Sequence, residues 1–231
     1  MLRIITDFDG PIVDVSERYY RVYELCLEKT RHPQQQIKQL SKAEFWQMKR
    51  DRIPEIEIGM ISGLDGGQAE VFSQLRKQTV HTQPYFEYDV LADGAVDTLS
   101  KIQQLKIDLA VMTMRRVREL DYALTKFNLG EFFPENRRYC LGNDYVKTRD
   151  IEDKPLLMKR ALTELPVANT WMIGDTEADI AAAKRHGIRV IAVECGIRDR
   201  IQLENYEPDL IVKSISIAVD IILDNWQQNI P

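Results

Sequence analysis

From residue 93 onward, short apolar runs alternate with segments of helical period, and that alternation limits the fold more than any other feature of the chain. Residues 93–106 read as a helix, "DLAVMT" (108–113) as a strand, 115–128 as a helix and "RYCL" (138–141) as a short strand. A helix over 154–165 follows, then the strand "TWMIG" (170–174), the helix "EADIAAAKRHG" closed by Gly187, and the strand "RVIAV" (189–193). "DLIV" (209–212) and "SISIAVDIILDNW" (214–226) make a final pair. Strands that alternate with helices this regularly pair in parallel and are covered on both faces. Their crossovers are right-handed.

One more strand, "LRIIT" (2–6), stands far upstream of this series. Between them the pattern is helical. "DVSERYYRVYELCLEKT" carries apolar residues at Tyr19, Val22, Tyr23, Cys26 and Leu27, with Ser16 as its expected N-cap. Ser41 and Glu44 form a capping-box pattern ahead of Phe45, Trp46 and Met48. The glycine-rich "GMISGLDGG" (59–67) is expected to be a flexible loop, and 68–80 a third helix. The predicted architecture is α/β: a doubly wound, Rossmann-like parallel sheet formed by residues 1–15 and 86–231, with an all-helical insert over 16–85.

Composition removes several functional classes. The 231 residues include 31 basic and 36 acidic ones, a formal net charge of -5, so neither nucleic acid nor an anionic membrane is the expected partner. No run approaches eighteen apolar residues, and the first ten residues turn acidic before a signal-length apolar stretch develops. Cys26, Cys140 and Cys195 are far apart and form no CxxC pair, and His32, His81 and His186 lie at no zinc-ligand spacing to them. Sparse, odd-numbered cysteines fit a reducing compartment, and the expected location is the cytoplasm.

Ligands of open α/β sheets bind beyond the carboxyl ends of the strands. In "IITDFDGPIVD", Asp7 and Asp9 stand at such an end, as does Thr113, the last residue of its predicted strand. Asp175 directly follows "TWMIG", with Asp179 four residues on, and Lys154 precedes Pro155 at the expected start of a helix. Four converging carboxylates repel one another, so a hard divalent cation is expected among them. A threonine and a lysine beside a magnesium site suit a bound phosphate.

This set, in this order, resembles the haloacid dehalogenase-like hydrolase superfamily, and in particular its phosphoglycolate-phosphatase-like members. "DFDGPIVD" looks like the first motif, "VMTM" like the second, "DKP" like the third and "IGDTEADIAAAKRHGI" like the fourth. The resemblance covers nearly the whole chain. It implies a helical cap inserted between the first and second motifs, and it implies roles. Asp7 is the nucleophile, and Asp9 the acid that protonates the leaving oxygen and then the base that activates water. Magnesium is held by the Asp7 carboxylate, the Asp9 backbone carbonyl and Asp175, with Asp179 nearby. Thr113 and Lys154 bind the transferring phosphoryl group, with the backbone amides of Phe8 and Asp9 completing the cradle. The chain departs from the family pattern at Pro11, and at Met114, a phosphate-side position where many members carry Asn.

The implied activity is a magnesium-dependent phosphatase acting on a small phosphate ester. A phosphoglucomutase-like phosphotransferase is the alternative, with a non-catalytic binding protein behind it. Blander readings apply to individual residues. Asp179 could cap its helix, Lys147 competes with Lys154, and His186 belongs to a helix end. Lys42, Lys49, Arg50 and Arg52 read mostly as a solvated helix face and Trp46 as cap core; the alternative for one or two of those cations, and for Arg115 or Arg116 after Thr113, is contact with substrate.

Overall fold

The computed structural model describes residues 1–228. In chain order its main elements are β1 (Leu2–Thr6), β2 (Val13–Asp14), α1 (Ser16–Thr30), α2 (Lys42–Arg50), α3 (Glu55–Ile61), α4 (Gly66–Thr79) and β3 (Val90–Leu91). There follow α5 (Ala95–Gln104), β4 (Asp108–Arg116), α6 (Val117–Lys126), β5 (Arg138–Leu141), α7 (Asp150–Glu164) and β6 (Asn169–Gly174). The chain ends in α8 (Glu177–Arg185), β7 (Arg189–Val193), α9 (Arg200–Glu204), β8 (Leu210–Val212) and α10 (Ile215–Gln228). Two compact units result: Met1–Asp14 with the chain from Leu91 on, and Val15–Val90.

The first unit is built on a six-stranded sheet in the order β5-β4-β1-β6-β7-β8. Every neighbouring pair is parallel, as the alternation of strands and helices predicts. β1 is buried at all its positions, which is why it reads as a continuous apolar run rather than an alternating one. Thr6 stands in register with Val111 of β4 on one side and Ile173 of β6 on the other. The chain therefore departs from β1 in one direction and later returns to its opposite flank. That reversal is where open α/β sheets bind ligands. Ile5, Met112, Met158, Met172, Ile180 and Val190 form the heart of one core cluster. Among the described residues, no helix is long and apolar enough to cross a membrane.

Two boundaries in this unit differ from expectation. β4 does not stop at Thr113 but continues to Arg116, with its register against β5 slipping between Met112 and Arg116. Four steps along β4 are set against two along β5, so the strand bulges at Thr113–Arg115. The Arg115 amide donates to Thr113 Oγ1 at 3.2 Å across this bulge. α7 begins at Asp150, ahead of the expected start at Lys154, and Pro155 lies inside it. The start is set by Asp153, whose carboxylate accepts from the amide and hydroxyl of Thr148 and from Tyr145 Oη. His186 is the C-cap of α8, and its Nε2 lies 3.0 Å from the Pro155 carbonyl.

The second unit packs α1 to α4 around Val22, Tyr23, Phe45, Ile58 and Phe72. The Ser41–Glu44 capping box forms as expected. Ser16, by contrast, is the first helical residue of α1, and Val15 is the N-cap without a side-chain bond. The segment 59–67 is not a loop throughout, since it contains the end of α3 and the start of α4. Gly59 explains this: a Cβ there would crowd Phe72 and Ala69, so the glycine serves close helix packing. Lys49 does not lie on a solvated face but pairs with Glu55, which also meets Arg76 Nε at 2.7 Å. Arg18 and Asp89 pair at 3.0 Å. A buried guanidinium without its carboxylate would cost several kcal/mol, roughly 3–5.

Candidate active site

Asp7 is the first residue beyond β1, and its amide extends the ladder by donating to the Ile173 carbonyl at 2.8 Å. Its carboxylate is buried and divided between two donors. Oδ1 accepts from the Phe8 amide at 2.7 Å, and Oδ2 meets Lys154 Nζ at 2.6 Å. The Phe8 amide, expected to face a phosphate, is thus engaged by Asp7. Lys154 reaches in from the first turns of α7 and also contacts Asp179 Oδ1 at 2.5 Å. Lys147 is exposed and pairs with Asp150 at 2.8 Å, so it does not compete for this position.

Asp175 and Asp179 come from the turn after β6 and the first turn of α8. Asp179 is the N3 residue of a capping box: its Oδ2 accepts from the Thr176 amide at 3.0 Å and from Thr176 Oγ1 at 2.6 Å. Capping and site membership, alternatives in the sequence, coexist here. Asp175 Oδ2 accepts from the Ile197 amide at 2.7 Å, while Oδ1 is buried with no hydrogen-bond partner among the described residues. Asp7, Asp175 and Asp179 offer oxygens that all lie within 4.8 Å of one another.

The side chain of Asp9 is not part of that group. Its Oδ1 accepts from Arg115 Nε at 2.8 Å and from Arg115 Nη2 at 2.7 Å. Arg115 lies 5.1 Å above the Phe8 ring. Arg116 donates to the carbonyls of Gly142 and Asn143. Thr113 is buried beside the bulge. Met114 packs its side chain against the core cluster rather than offering a polar contact.

Three glycines make the crowding of carboxylates sterically feasible. A Cβ at Gly10 or Gly196 would overlap the Asp175 carboxylate, and one at Gly174 would overlap Asp179. Gly10 also turns the chain at φ +90°, with its amide donating to the Val13 carbonyl at 2.8 Å. Pro11 next to it fits such a turn, since proline drives the preceding residue from helical angles. No motif marks Gly196 or the Ile197 amide; the sequence offers only a glycine three residues beyond "RVIAV".

Charge in this cluster is unbalanced, because one ammonium serves three carboxylates. Burial raises Asp7 well above the ordinary carboxylate range; Lys154 draws it back, and Asp179 and Asp175 push it up again. Burial, then Asp179, pushes Asp175 up to about 7 against the pull of the Ile197 amide and Lys154. Burial opposes the charge on Lys154, yet Asp179 and Asp7 outweigh it and hold the ammonium above the usual lysine range. An unbonded buried oxygen on Asp175 and an all-oxygen donor set fit a hard divalent cation such as magnesium.

Comparison with known proteins shows the family. The family described as haloacid dehalogenase-like hydrolase matches residues 4–193, and the chain belongs to that family. The phosphoglycolate phosphatase of Pseudomonas syringae pv. tomato is 22% identical over 138 residues, covering 60% of this chain and 49% of that protein. The chain spans about half the length of the curated relatives it matches. A candidate phosphatase from Clostridium difficile has a similar structure, with TM-score 0.74 at 17% identity, over 95% of this chain and 97% of that one. A haloacid dehalogenase-like family hydrolase from Streptococcus pneumoniae gives TM-score 0.68 at 19% identity, over 97% and 98% of the two chains. At these identities the structures speak to the fold alone.

Proposed function

We propose that the protein is a magnesium-dependent phosphatase hydrolysing a small phosphorylated metabolite, of the phosphoglycolate or sugar-phosphate kind, through an aspartyl-phosphate on Asp7. The observation that carries this reading is the buried Asp7 carboxylate at the carboxyl end of the central strand, 2.6 Å from Lys154 and grouped with Asp175 and Asp179. The named activity of the Pseudomonas syringae relative supports the same substrate class.

In the first step an Asp7 oxygen attacks phosphorus, the bond to the leaving oxygen breaks, and Asp9 gives that oxygen its proton. In the second, Asp9 takes a proton from water as the water attacks the phosphoryl group, which releases phosphate and restores Asp7. Lys154 balances the charge of Asp7, and the Thr113 hydroxyl is a hydrogen-bond partner for the transferring group. A magnesium ion held by Asp7 and Asp175, with Asp179 behind them, would supply neutralisation of the repulsion between nucleophile and phosphate. The Val15–Val90 unit is the proposed cap and the proposed source of substrate discrimination. Three cysteines outside any disulfide support a cytoplasmic setting.

The test is turnover of p-nitrophenyl phosphate with and without EDTA, followed by a panel of small phosphate esters. Metal-dependent release of inorganic phosphate supports a phosphatase. Conversion of one sugar phosphate into its isomer without phosphate release would assign the mutase reaction instead.

A further inference from the structure

We infer that the segment Cys195–Arg198, fastened by the Arg198–Glu177 ion pair, is a positioning element for Asp175 and sets the affinity of the site for its divalent cation. This rests on the proposed reading of Asp175 as a metal ligand. Two contacts of different kinds tie the segment to that side chain. The Ile197 amide donates to Oδ2 at 2.7 Å, and the Gly196 backbone approaches so closely that any Cβ would overlap the carboxylate. Together they restrict the Asp175 carboxyl, with Oδ2 occupied and Oδ1 buried without a hydrogen-bond partner among the described residues, in a side chain grouped with Asp7 and Asp179. A third contact runs from Cys195 Sγ to the Gly10 carbonyl at 3.4 Å, which ties the segment to the turn that follows the nucleophile.

Arg198 holds this segment in place. Its guanidinium grips Glu177 with Nε on Oε2 at 2.9 Å and Nη2 on Oε1 at 3.2 Å. That is the two-pronged geometry in which arginine adds direction as well as charge. Both side chains are largely covered, at 17% and 15% exposure. Glu177 is the first residue of α8, two beyond Asp175, and Arg198 is one beyond Ile197. The ion pair therefore closes a small ring that contains the Asp175 carboxylate and its amide donor. Groups that orient a metal ligand in this way typically govern metal affinity about 10–100-fold.

Charge alone predicts the opposite effect for the decisive variant. Removing a cation near an acidic site should draw a divalent ion in more tightly, whereas losing the clamp should loosen it. The full-length protein is titrated with Mn2+ alone, the free ion being followed by its electron paramagnetic resonance signal. Arg198→Met should weaken Mn2+ binding about tenfold or more. Arg198→Lys, which keeps the charge and loses the fork, should fall between Met and wild type. The exchange Glu177→Arg with Arg198→Glu should recover much of the loss. Thermal melting in EDTA separates any general loss of stability from the effect on the cation. Unchanged or tighter Mn2+ binding in folded Arg198→Met and Arg198→Lys overturns the clamp and leaves the metal reading standing. Failure of the wild-type protein to take up Mn2+ overturns the metal reading, and the clamp with it.

Discussion

Arg115 holds Asp9 through two contacts on one atom: both Nε, at 2.8 Å, and Nη2, at 2.7 Å, meet the same carboxylate oxygen. The Arg115 side chain is 1% exposed and that of Asp9 27%. Two nitrogens of one guanidinium therefore converge on a single oxygen of Asp9. Arg115 is in turn aimed by the bulge in β4 that begins at Thr113.

If Arg115 orients Asp9, its loss should cost most where the leaving group most needs a proton. Arg115→Met is expected to slow hydrolysis of alkyl phosphates by about 10–100-fold, a part of the roughly 100–10,000-fold that general acid catalysis contributes, since Asp9 itself is kept. Hydrolysis of p-nitrophenyl phosphate should slow much less in its first step, because p-nitrophenolate leaves without help. Pre-steady-state phenolate release on both substrate classes measures this. Equal losses on both would assign Arg115 to phosphate binding or to folding.

The acidic cluster makes stability depend on pH with a defined sign. Asp175 is pushed to about 7 in the folded chain, against an ordinary value of 3.8. Between those values the folded protein keeps a proton that the unfolded chain has lost, so stability is full below the lower value and is lost as pH rises through the upper one. Metal-free wild type should lose more stability than Asp175→Asn between about pH 5 and pH 7.5, by an amount on the order of 2–3 kcal/mol. Magnesium should return that stability at the higher pH and do little at the lower. Urea denaturation at both pH values checks this, and parallel losses in the two proteins would contradict it.

Gly174 and Asp179 should behave as a coupled pair. A Cβ at Gly174 would overlap the Asp179 side chain, so Gly174→Ala is expected to cost about 1–3 kcal/mol, as overpacking does. In an Asp179→Gly background, which removes the whole side chain including the Cβ that would lie 2.4 Å from the new methyl, the same change should cost little. A double-mutant cycle by chemical denaturation reads the coupling. Additive effects would place the strain of Gly174→Ala elsewhere.

The convergence of Asp7, Lys154, Asp175 and Asp179 was legible in the sequence, because alternating strands and helices bring every strand end to one edge of a parallel sheet. The partners of those residues were less so. Arg115 meets Asp9 through a bulge, and nothing in "VMTMRR" marks a slip of register that depends on the neighbouring strand. Gly196 meets Asp175 because two separate loops pack together, which a local pattern does not encode. α3 was hidden because glycine disfavours helices, while at Gly59 close packing on Phe72 and Ala69 outweighs that preference. The early start of α7 was hidden for another reason. Pro155 after Lys154 reads as the opening of a helix, but the bonds from Thr148 and Tyr145 to Asp153 start it sooner.

In the proposed reaction Asp7 carries the phosphoryl group and Asp9 moves the protons. Asp9→Asn keeps the nucleophile and removes the base for the second step, so hydrolysis of the intermediate should become slow. Mixed with p-nitrophenyl phosphate and magnesium, Asp9→Asn should release a burst of phenolate and retain one phosphoryl group, which intact-protein mass spectrometry after acid quench detects and peptide mapping locates on Asp7. Asp7→Asn should show neither burst nor adduct. An adduct on any other residue, or none on Asp9→Asn despite turnover by the wild type, would contradict these roles.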